Sequence, residues 1–512
     1  MSATFTIRTL GCKVNQYDSQ LLAERLGALG LSPRRMDDGS PDVGVEAEGA
    51  HEAIDGGLGA GSNGVDLVVV NTCAVTARSE AKGRRLVRWL LRRHPDAAIV
   101  VTGCGVRLDA HPWRAIGRQT APGRLLVVAS PEEVPERLVE AGLVGTGGPS
   151  RASLPSGAAA LPARISGFLG HDRAFVKVQD GCQAFCSYCV VPLVRPRLWS
   201  KRAGSVVEEV RALSGAGYGE VVLVGVHLGL YGSEAPEDTH DESRNPDLAG
   251  LVRRLLAETD VGRLRLSSVE PQEVTDDLID LAVESDRVCP HFHLPLQSGD
   301  DSVLRAMNRR YTVREYLQTL ERIARRIPRP AFTTDILLGF PGEGEAEFER
   351  TLSVVREARF SRIHAFRYSP RPGTKAAARS SHTPQWQVLR RERELLALAG
   401  ELARAYRNQF LGEVVEVLVE GRADNMASPT RVPAKRAGGA VTDPPGAGGR
   451  QVMELKRQES LAGLSERYLR VRFPRLEGHY VRPGSLVKVR VLATDDAGLV
   501  GRRDMKVGAG KK

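Results

Sequence analysis

The chain has 512 residues, room for about three or four domains, and its apolar content of 42% is ordinary for a protein with sizeable cores. Lys and Arg outnumber Asp and Glu by 72 to 62, a formal charge of +10 that favours a polyanionic partner. Seven cysteines are too few for a disulfide scaffold, and no apolar run reaches the ~18–20 residues of a membrane helix. The opening MSATFTIRTLGC lacks a charged-then-apolar signal pattern, so a cytoplasmic location with reduced thiols is expected.

Residues 1–145 alternate strand and helix patterns. TFTIRT (4–9), DLVVVN (66–71), AAIVVTG (97–103) and RLLVVAS (124–130) are β-rich, separated by helical stretches such as DSQLLAERLGAL and SEAKGRRLVRWLLRR. That order predicts an α/β domain with a parallel sheet wound by helices. Residues 41–64, rich in Gly, Ala and acidic side chains, read as a flexible surface insertion, and 146–170 as a linker.

Residues 171–402 carry six candidate strands: AFVKVQ, EVVLVGV, LRLSSV, HFHLPL, FTTDILL and IHAFRY. Helices fall between most of them. SVVE (205–208) and TVRE (312–315) read as capping boxes at helix starts. After Thr312 apolar residues recur at Val313, Tyr316, Leu317, Leu320, Ile323 and Ile327, a helical stripe. Six βα units predict a partial parallel barrel, in which chemistry sits on loops after the strand C-termini. The glycine-rich LGFPGE (338–343) lacks the Lys-Ser/Thr of a nucleotide-binding loop and reads as a strand-to-helix turn.

Residues 385–410 read as helix, and 408–500 as a small antiparallel β-barrel with an insertion at 422–460. In RYLRVRFP, Tyr468, Arg470 and Arg472 alternate with Leu469, Val471 and Phe473; in SLVKVRVLAT, Lys488 and Arg490 alternate with Val487, Val489 and Val491. A basic outer face is expected.

The loop after the first barrel strand, QDGCQAFCSYCVVP, holds Cys182, Cys186 and Cys189 at spacing C-x3-C-x2-C. A closed zinc or iron–sulfur site takes four protein ligands. Zinc sites favour C-x2-C pairs joined by a second pair, which is missing nearby; a [4Fe–4S] cluster with one open iron explains three cysteines better. His171 precedes the strand and lies at its wrong end to be a fourth ligand. Cys12, Cys73 and Cys104 each follow a predicted strand of the N-terminal sheet (TLGC, VVNTC, VVTGC). Parallel strands lie about 4.8 Å apart and end on one edge, so the three converge. A single free cysteine is most simply a small buried apolar residue, and Cys289 reads that way; three at equivalent strand ends do not. His227, His291 and His293 read as satisfied barrel-core or supporting histidines rather than ligands.

C-x3-C-x2-C after the first strand of a six-unit βα barrel resembles the radical S-adenosylmethionine (SAM) superfamily. GC, NTC and TGC ahead of it narrow the resemblance to the methylthiotransferases. TLGCKVNQYDS (9–19) resembles the branch that acts on N6-threonylcarbamoyladenosine in tRNA. The resemblance continues through GYGEVVLVGVHLGLYG, RLRLSSVEP, HFHLPLQSGDDSVLRAMNRRYT, TTDILLGFPGE and FRYSPRPGT, and the C-terminal β segment is similar to the RNA-binding TRAM barrel. Pro196 stands where the family usually has Gly, a local departure after the cysteine loop.

The resemblance implies two [4Fe–4S] clusters, one on Cys182, Cys186 and Cys189 and one on Cys12, Cys73 and Cys104, each with an open iron. The first would cleave SAM to a radical and the second would present a methylated sulfur, giving 2-methylthio-N6-threonylcarbamoyladenosine. No acid–base residue is implied. Tyr188 is expected over the adenine of SAM, with Gly225, Glu270 and Gln297 lining its pocket. The implied partners are tRNA, an electron donor such as flavodoxin or ferredoxin, and a sulfur source; no membrane is involved and a monomer is expected. Lys82, Arg84, Arg85, Arg88, Arg92 and Arg93 are candidates to grip tRNA. The same chemistry on N6-isopentenyladenosine, or on a ribosomal-protein aspartate, stays open at this point.

Overall fold

The computed structural model describes residues 3–34, 64–144, 161–233, 245–422, 460–475 and 480–504. The expected insertions at 41–64 and 422–460 lie, apart from their edges, outside the described residues, as does the first part of the expected linker 146–170, whereas its residues 161–170 are described and bury Ile165 and Phe168 in the core of the partial barrel.

The N-terminal valine-rich runs form a five-stranded parallel sheet of β1 (Thr4–Thr9), β2 (Ser32–Pro33), β3 (Leu67–Thr72), β4 (Ala98–Gly103) and β5 (Leu125–Val127), in the order β2-β1-β3-β4-β5. Every residue of β3 is buried, as fits a strand covered on both faces. The helix Lys13–Ala28 packs Leu22 and Leu26 on one face with Phe5, Ile7 and Val69. Helices Ala77–Arg93 and His111–Thr120 pack Leu86, Leu90 and Trp113 on the other with Val68 and Val70.

The next strands are β6 (Ala174–Asp180), β7 (Trp199–Ser200), β8 (Glu220–Gly225), β9 (Arg263–Leu266), β10 (His291–His293), β11 (Ala331–Leu338) and β12 (Arg362–Arg367). β6, β8 and β9 pair in parallel, as do β10, β11 and β12, and the parallel bridges Leu264↔Val288 and Ser268↔His293 join the two groups. The six strands expected from the sequence thus form an open partial barrel, with two-residue β7 added antiparallel at its edge. Thr312 and Glu315 form the expected capping box, and Tyr316, Leu320, Ile323 and Ile327 bury the expected stripe. SVVE is a correction. Its helix, Ala203–Gly215, starts three residues earlier than a cap at Ser205 would set it, because the side chain of Asn245 accepts the Ala203 N–H at 2.9 Å and satisfies the helix end in place of Ser205.

A closed barrel follows: β13 (Val414–Arg422), β14 (Ser460–Ser465), β15 (Arg470–Pro474), β16 (Leu486–Asp495) and β17 (Gly498–Arg503), in the order β13-β14-β15-β17-β16. All its pairs are antiparallel except β15–β17, which is parallel. Val487, Val489 and Val491 point inward and Lys488 and Arg490 outward, as the alternation predicts. Tyr468 departs from its expected outer face. It precedes β15 at φ 62° and is buried against the partial barrel.

That contact fixes where the closed barrel sits. Arg263 donates to Glu416 O (3.0 Å) and Leu464 O (2.7 Å), and Arg265 to Glu466 O and Ser465 O (both 3.0 Å). Both guanidiniums also bind buried Glu220. These residues lie at the starts of β8 and β9, so the closed barrel docks under the strand N-termini, at the end opposite the cysteine loop. Among the described residues no helix is long and apolar enough to cross a membrane.

Candidate functional site

β1, β3 and β4 are neighbours in register, with Thr9 opposite Asn71 and Thr72 opposite Gly103. Their C-terminal ends therefore align, and Cys12, Cys73 and Cys104 come together there. Gly11, at φ 110°, lies so close to Cys73 that a Cβ would stand 3.1 Å from its sulfur. Asn15, one turn into the first helix, braces the three loops. Its Nδ2 donates to Leu10 O (2.9 Å) and Thr72 O (3.1 Å), and its Oδ1 lies 3.8 Å from Cys104 Sγ. Cys73 is buried, Cys104 half-buried and Cys12 exposed. Burial pushes the Cys73 thiol up to about 12, and Cys104 and Cys12 add to the rise. A metal bound there would remove that proton on coordination.

Cys182, Cys186 and Cys189 follow β6. Each sulfur meets N–H donors: Ala184 N on Cys182 and Val191 N on Cys189, both at 3.4 Å, and Arg309 Nη1 on Cys186, also at 3.4 Å. His227 Nδ1 lies 3.6 Å from Cys182 Sγ, while its Nε2 lies 2.6 Å from Glu273. Burial opposes charge on His227, yet the bonds to Cys182 and Glu273 push it up to about 10. Burial likewise pushes Cys189 up to about 12 against the Val191 N–H. Three thiols ringed by donors suit thiolates of an iron–sulfur cluster. Among the described residues no three His, Cys, Asp or Glu side chains close around a single ion.

Of the expected pocket residues, Glu270 is linked to this triad through Arg309 and Gly225 through Gln179 and His227. Gly225 ends β8, where a Cβ would lie 3.0 Å from Gln179 Oε1, and that same oxygen accepts the His227 N–H at 2.8 Å. Glu270 binds Arg309, the arginine that also reaches Cys186. Burial raises the Glu270 carboxyl and Arg309 opposes the rise. Gln297, at φ 66°, is buried and takes its place through Asp335 O (2.8 Å). The Tyr188 ring packs edge-on to Phe340, with centroids 6.5 Å apart.

Other candidates fall elsewhere. His171 packs on Phe168 before β6, away from the cysteines. His291 and His293 both meet Thr333 Oγ1, at 3.1 and 2.9 Å, inside the partial barrel. Cys289 is buried, and burial pushes it up to about 11. LGFPGE is a strand-to-helix turn in which the Glu343 carboxylate accepts the Gly339 N–H at 2.7 Å. On the helix Ala77–Arg93, Arg84 pairs with Glu80 at 2.6 Å and Lys82 is half-buried, whereas Arg85, Arg88, Arg92 and Arg93 are exposed.

Sequence reasoning gave no weight to Arg195, Arg309 or Glu273. Arg309 and Arg195 lie in MNRRYT and VRPRLWSKR, where nothing local separates a site arginine from a surface one. Arg195 donates from Nε to Cys104 Sγ at 3.4 Å, and its carbonyl accepts the Cys182 N–H at 3.2 Å. It therefore touches both cysteine sets.

Comparison with known proteins matches residues 176–355 to the Radical SAM superfamily and 58–119 to Uncharacterized protein family UPF0004. The chain is 35% identical to Threonylcarbamoyladenosine tRNA methylthiotransferase MtaB of Chlamydia pneumoniae, over 82% of this chain and 87% of that protein. It is 32% identical to the protein of the same name from Bacillus subtilis, over 82% and 85%. It is 33% identical to tRNA-2-methylthio-N(6)-dimethylallyladenosine synthase of Corynebacterium jeikeium, over 81% and 76%.

Proposed function

The chain belongs to the radical SAM methylthiotransferases, and from that membership we propose that it adds a methylthio group to C2 of N6-threonylcarbamoyladenosine in tRNA, beside the anticodon, with SAM and two [4Fe–4S] clusters. The observation that carries the two-cluster part is the meeting of Cys12, Cys73 and Cys104 at the aligned ends of β1, β3 and β4, joined by Arg195 to the loop of the second triad. In this reading Cys182, Cys186 and Cys189 hold one cluster and Cys12, Cys73 and Cys104 the other, each leaving one iron for a ligand from outside the protein.

The target C–H is aromatic and not acidic, and general acid–base catalysis typically contributes only about 10²–10⁴-fold. Bound here, the clusters and SAM would supply the radical chemistry that such a bond requires. The protein's part is to hold and shield. His227, backed by Glu273, stands against Cys182, and Arg309, backed by Glu270, donates to Cys186. Tyr188, Gly225, Glu270 and Gln297 would line the SAM pocket. An electron donor such as flavodoxin or ferredoxin and a source of sulfur complete the reaction.

The threonylcarbamoyl substrate rests on two relatives of that name and on GCKVNQYDS; the dimethylallyl name of the third relative supports a second reading, N6-isopentenyladenosine. Mass spectrometry of tRNA nucleosides from cells lacking the gene separates them. Loss of 2-methylthio-N6-threonylcarbamoyladenosine alone supports the first, loss of the isopentenyl analogue the second, and loss of neither overturns both.

A further inference from the structure

Arg195 lies six residues beyond Cys189, and its side chain is buried at 6% exposure. A guanidinium has five N–H donors and no acceptor, and here all three nitrogens have partners. Nη1 donates to both Asp180 oxygens (2.8 and 2.6 Å), Nη2 to Asn15 Oδ1 (3.0 Å) and Asp18 Oδ2 (2.7 Å), and Nε to Cys104 Sγ (3.4 Å). Lys177 closes the group, bonding Asp18 and, at 3.0 Å, Asp180. Asn15 and Asp18 come from the first helix, Asp180 and Lys177 from β6, and Cys104 from the end of β4. Two carboxylates thus orient a planar fork so that its Nε–H meets a sulfur. The backbone of the same residue takes the Cys182 N–H. A buried cation held this tightly is costly unless paired, and a surface salt bridge would have joined the domains without reaching a cysteine.

We propose that Arg195 is a positioning residue that ties the two cysteine sets together and tunes the N-terminal cluster through an N–H···S bond to Cys104. This rests on the two-cluster reading above. A hydrogen bond to a ligand sulfur withdraws negative charge and favours the reduced cluster, so it raises the reduction potential. Removing it should lower the potential of that cluster and leave the other, whose sulfurs have their own donors, near its starting value. Arg195 also sets the register of the two loops, so its loss should let SAM cleavage run without transfer.

The test uses the full chain carrying Cys182→Ala, Cys186→Ala and Cys189→Ala, which leaves the N-terminal cluster alone, with and without Arg195→Met or Arg195→Lys. After anaerobic reconstitution, iron is counted and the cluster titrated by EPR. Arg195→Lys keeps a cation for Asp18 and Asp180 and loses the fork, so it guards against a variant that fails to fold. The expected result is unchanged iron content with a potential lowered by about tenfold in the reduction equilibrium, ~59 mV for one electron. In the otherwise unaltered enzyme, each variant should raise the ratio of 5′-deoxyadenosine to methylthiolated product. An unmoved potential in both variants overturns the tuning role. A triple-alanine chain that binds no cluster overturns the two-cluster reading itself, and this inference with it.

Discussion

The ring of Tyr468 lies flat on that of His291, with centroids 4.9 Å apart and planes 20° from parallel. The guanidiniums of Arg265 and Arg173 stand 4.9 and 5.2 Å from the same ring, and Arg173 Nη2 donates to the Tyr468 hydroxyl at 3.2 Å. One side chain of the closed barrel therefore plugs the lower end of the partial barrel. Tyr468→Ala removes a buried aromatic and one hydrogen-bond partner of Arg173, a change of the kind that costs about 3–5 kcal/mol. The closed barrel should detach first in urea, with its transition moved to lower concentration, read by circular dichroism on the apoprotein. An unmoved midpoint would mean that Arg263 and Arg265 hold the barrel without it.

This docking was not legible in the sequence, and the reason is general. The strands were legible because runs such as LVVVN and AIVVTG have few other uses, and the cysteine sets because each follows a strand. Period-two alternation assigned Tyr468 to the outer face with Arg470 and Arg472, but the positive φ at Tyr468 takes it out of the strand. β14 and β17, SLAGLS and GLVGRR, carry glycines and too little alternation to be read. Buried Arg263, Arg265 and Glu220 look like surface charges until their partners, from strands and turns remote in sequence, are known. Arg195, Arg309 and the His227–Glu273 pair escaped for the same reason: partnership across a fold leaves no periodic trace.

Gly103 offers a direct test of the N-terminal site. It sits at φ 94°, and a Cβ there would lie 2.2 Å from Asn71 Oδ1 and 2.8 Å from Thr72 O. Gly103→Ala must push β4 from β3 and carry Cys104 with it. Iron in the reconstituted protein should fall from about eight to about four per chain, one cube of two, with far-ultraviolet dichroism nearly unchanged. Full iron content would show that the Cys104 loop tolerates the shift.

The two cysteine sets should fail differently. Cys186→Ala should abolish reductive cleavage of SAM, measured as 5′-deoxyadenosine. Cys73→Ala should leave that cleavage and stop methylthio transfer. Undiminished deoxyadenosine in the first variant, or normal product in the second, would remove the assigned role.

The exposed arginines of the helix Ala77–Arg93 start beside the Cys73 loop and run away from it. If Arg85, Arg88 and Arg92 bind phosphates, replacing all three by Glu should weaken tRNA binding uniformly. The slope of log affinity against log salt should fall by roughly 0.7–0.9 for each phosphate no longer neutralised. Filter binding between low and moderate salt reads this directly; an unchanged slope would leave the helix face merely solvated.

The charge group between the two domains predicts an acid response of definite sign. Burial raises the carboxyls of Asp18 and Asp180, but Lys177 and Arg195 outweigh it and hold both below the ordinary carboxylate range. In the unfolded chain an aspartate titrates near ~3.9. Stability from these groups is therefore present above that value and is lost as pH falls below it toward the folded pKa. Breaking a buried ion pair by removing one partner costs about 3–5 kcal/mol, so Asp18→Asn should lower the urea midpoint of the apoprotein clearly at pH ~7. As pH drops through ~4 the unaltered protein should lose the same contribution, and the gap between the two should narrow. A gap that stays constant down to pH ~3 would mean that Asp18 acts through packing and neutral hydrogen bonds, because only a charge contribution can vanish over the range in which the unfolded carboxyl takes up its proton.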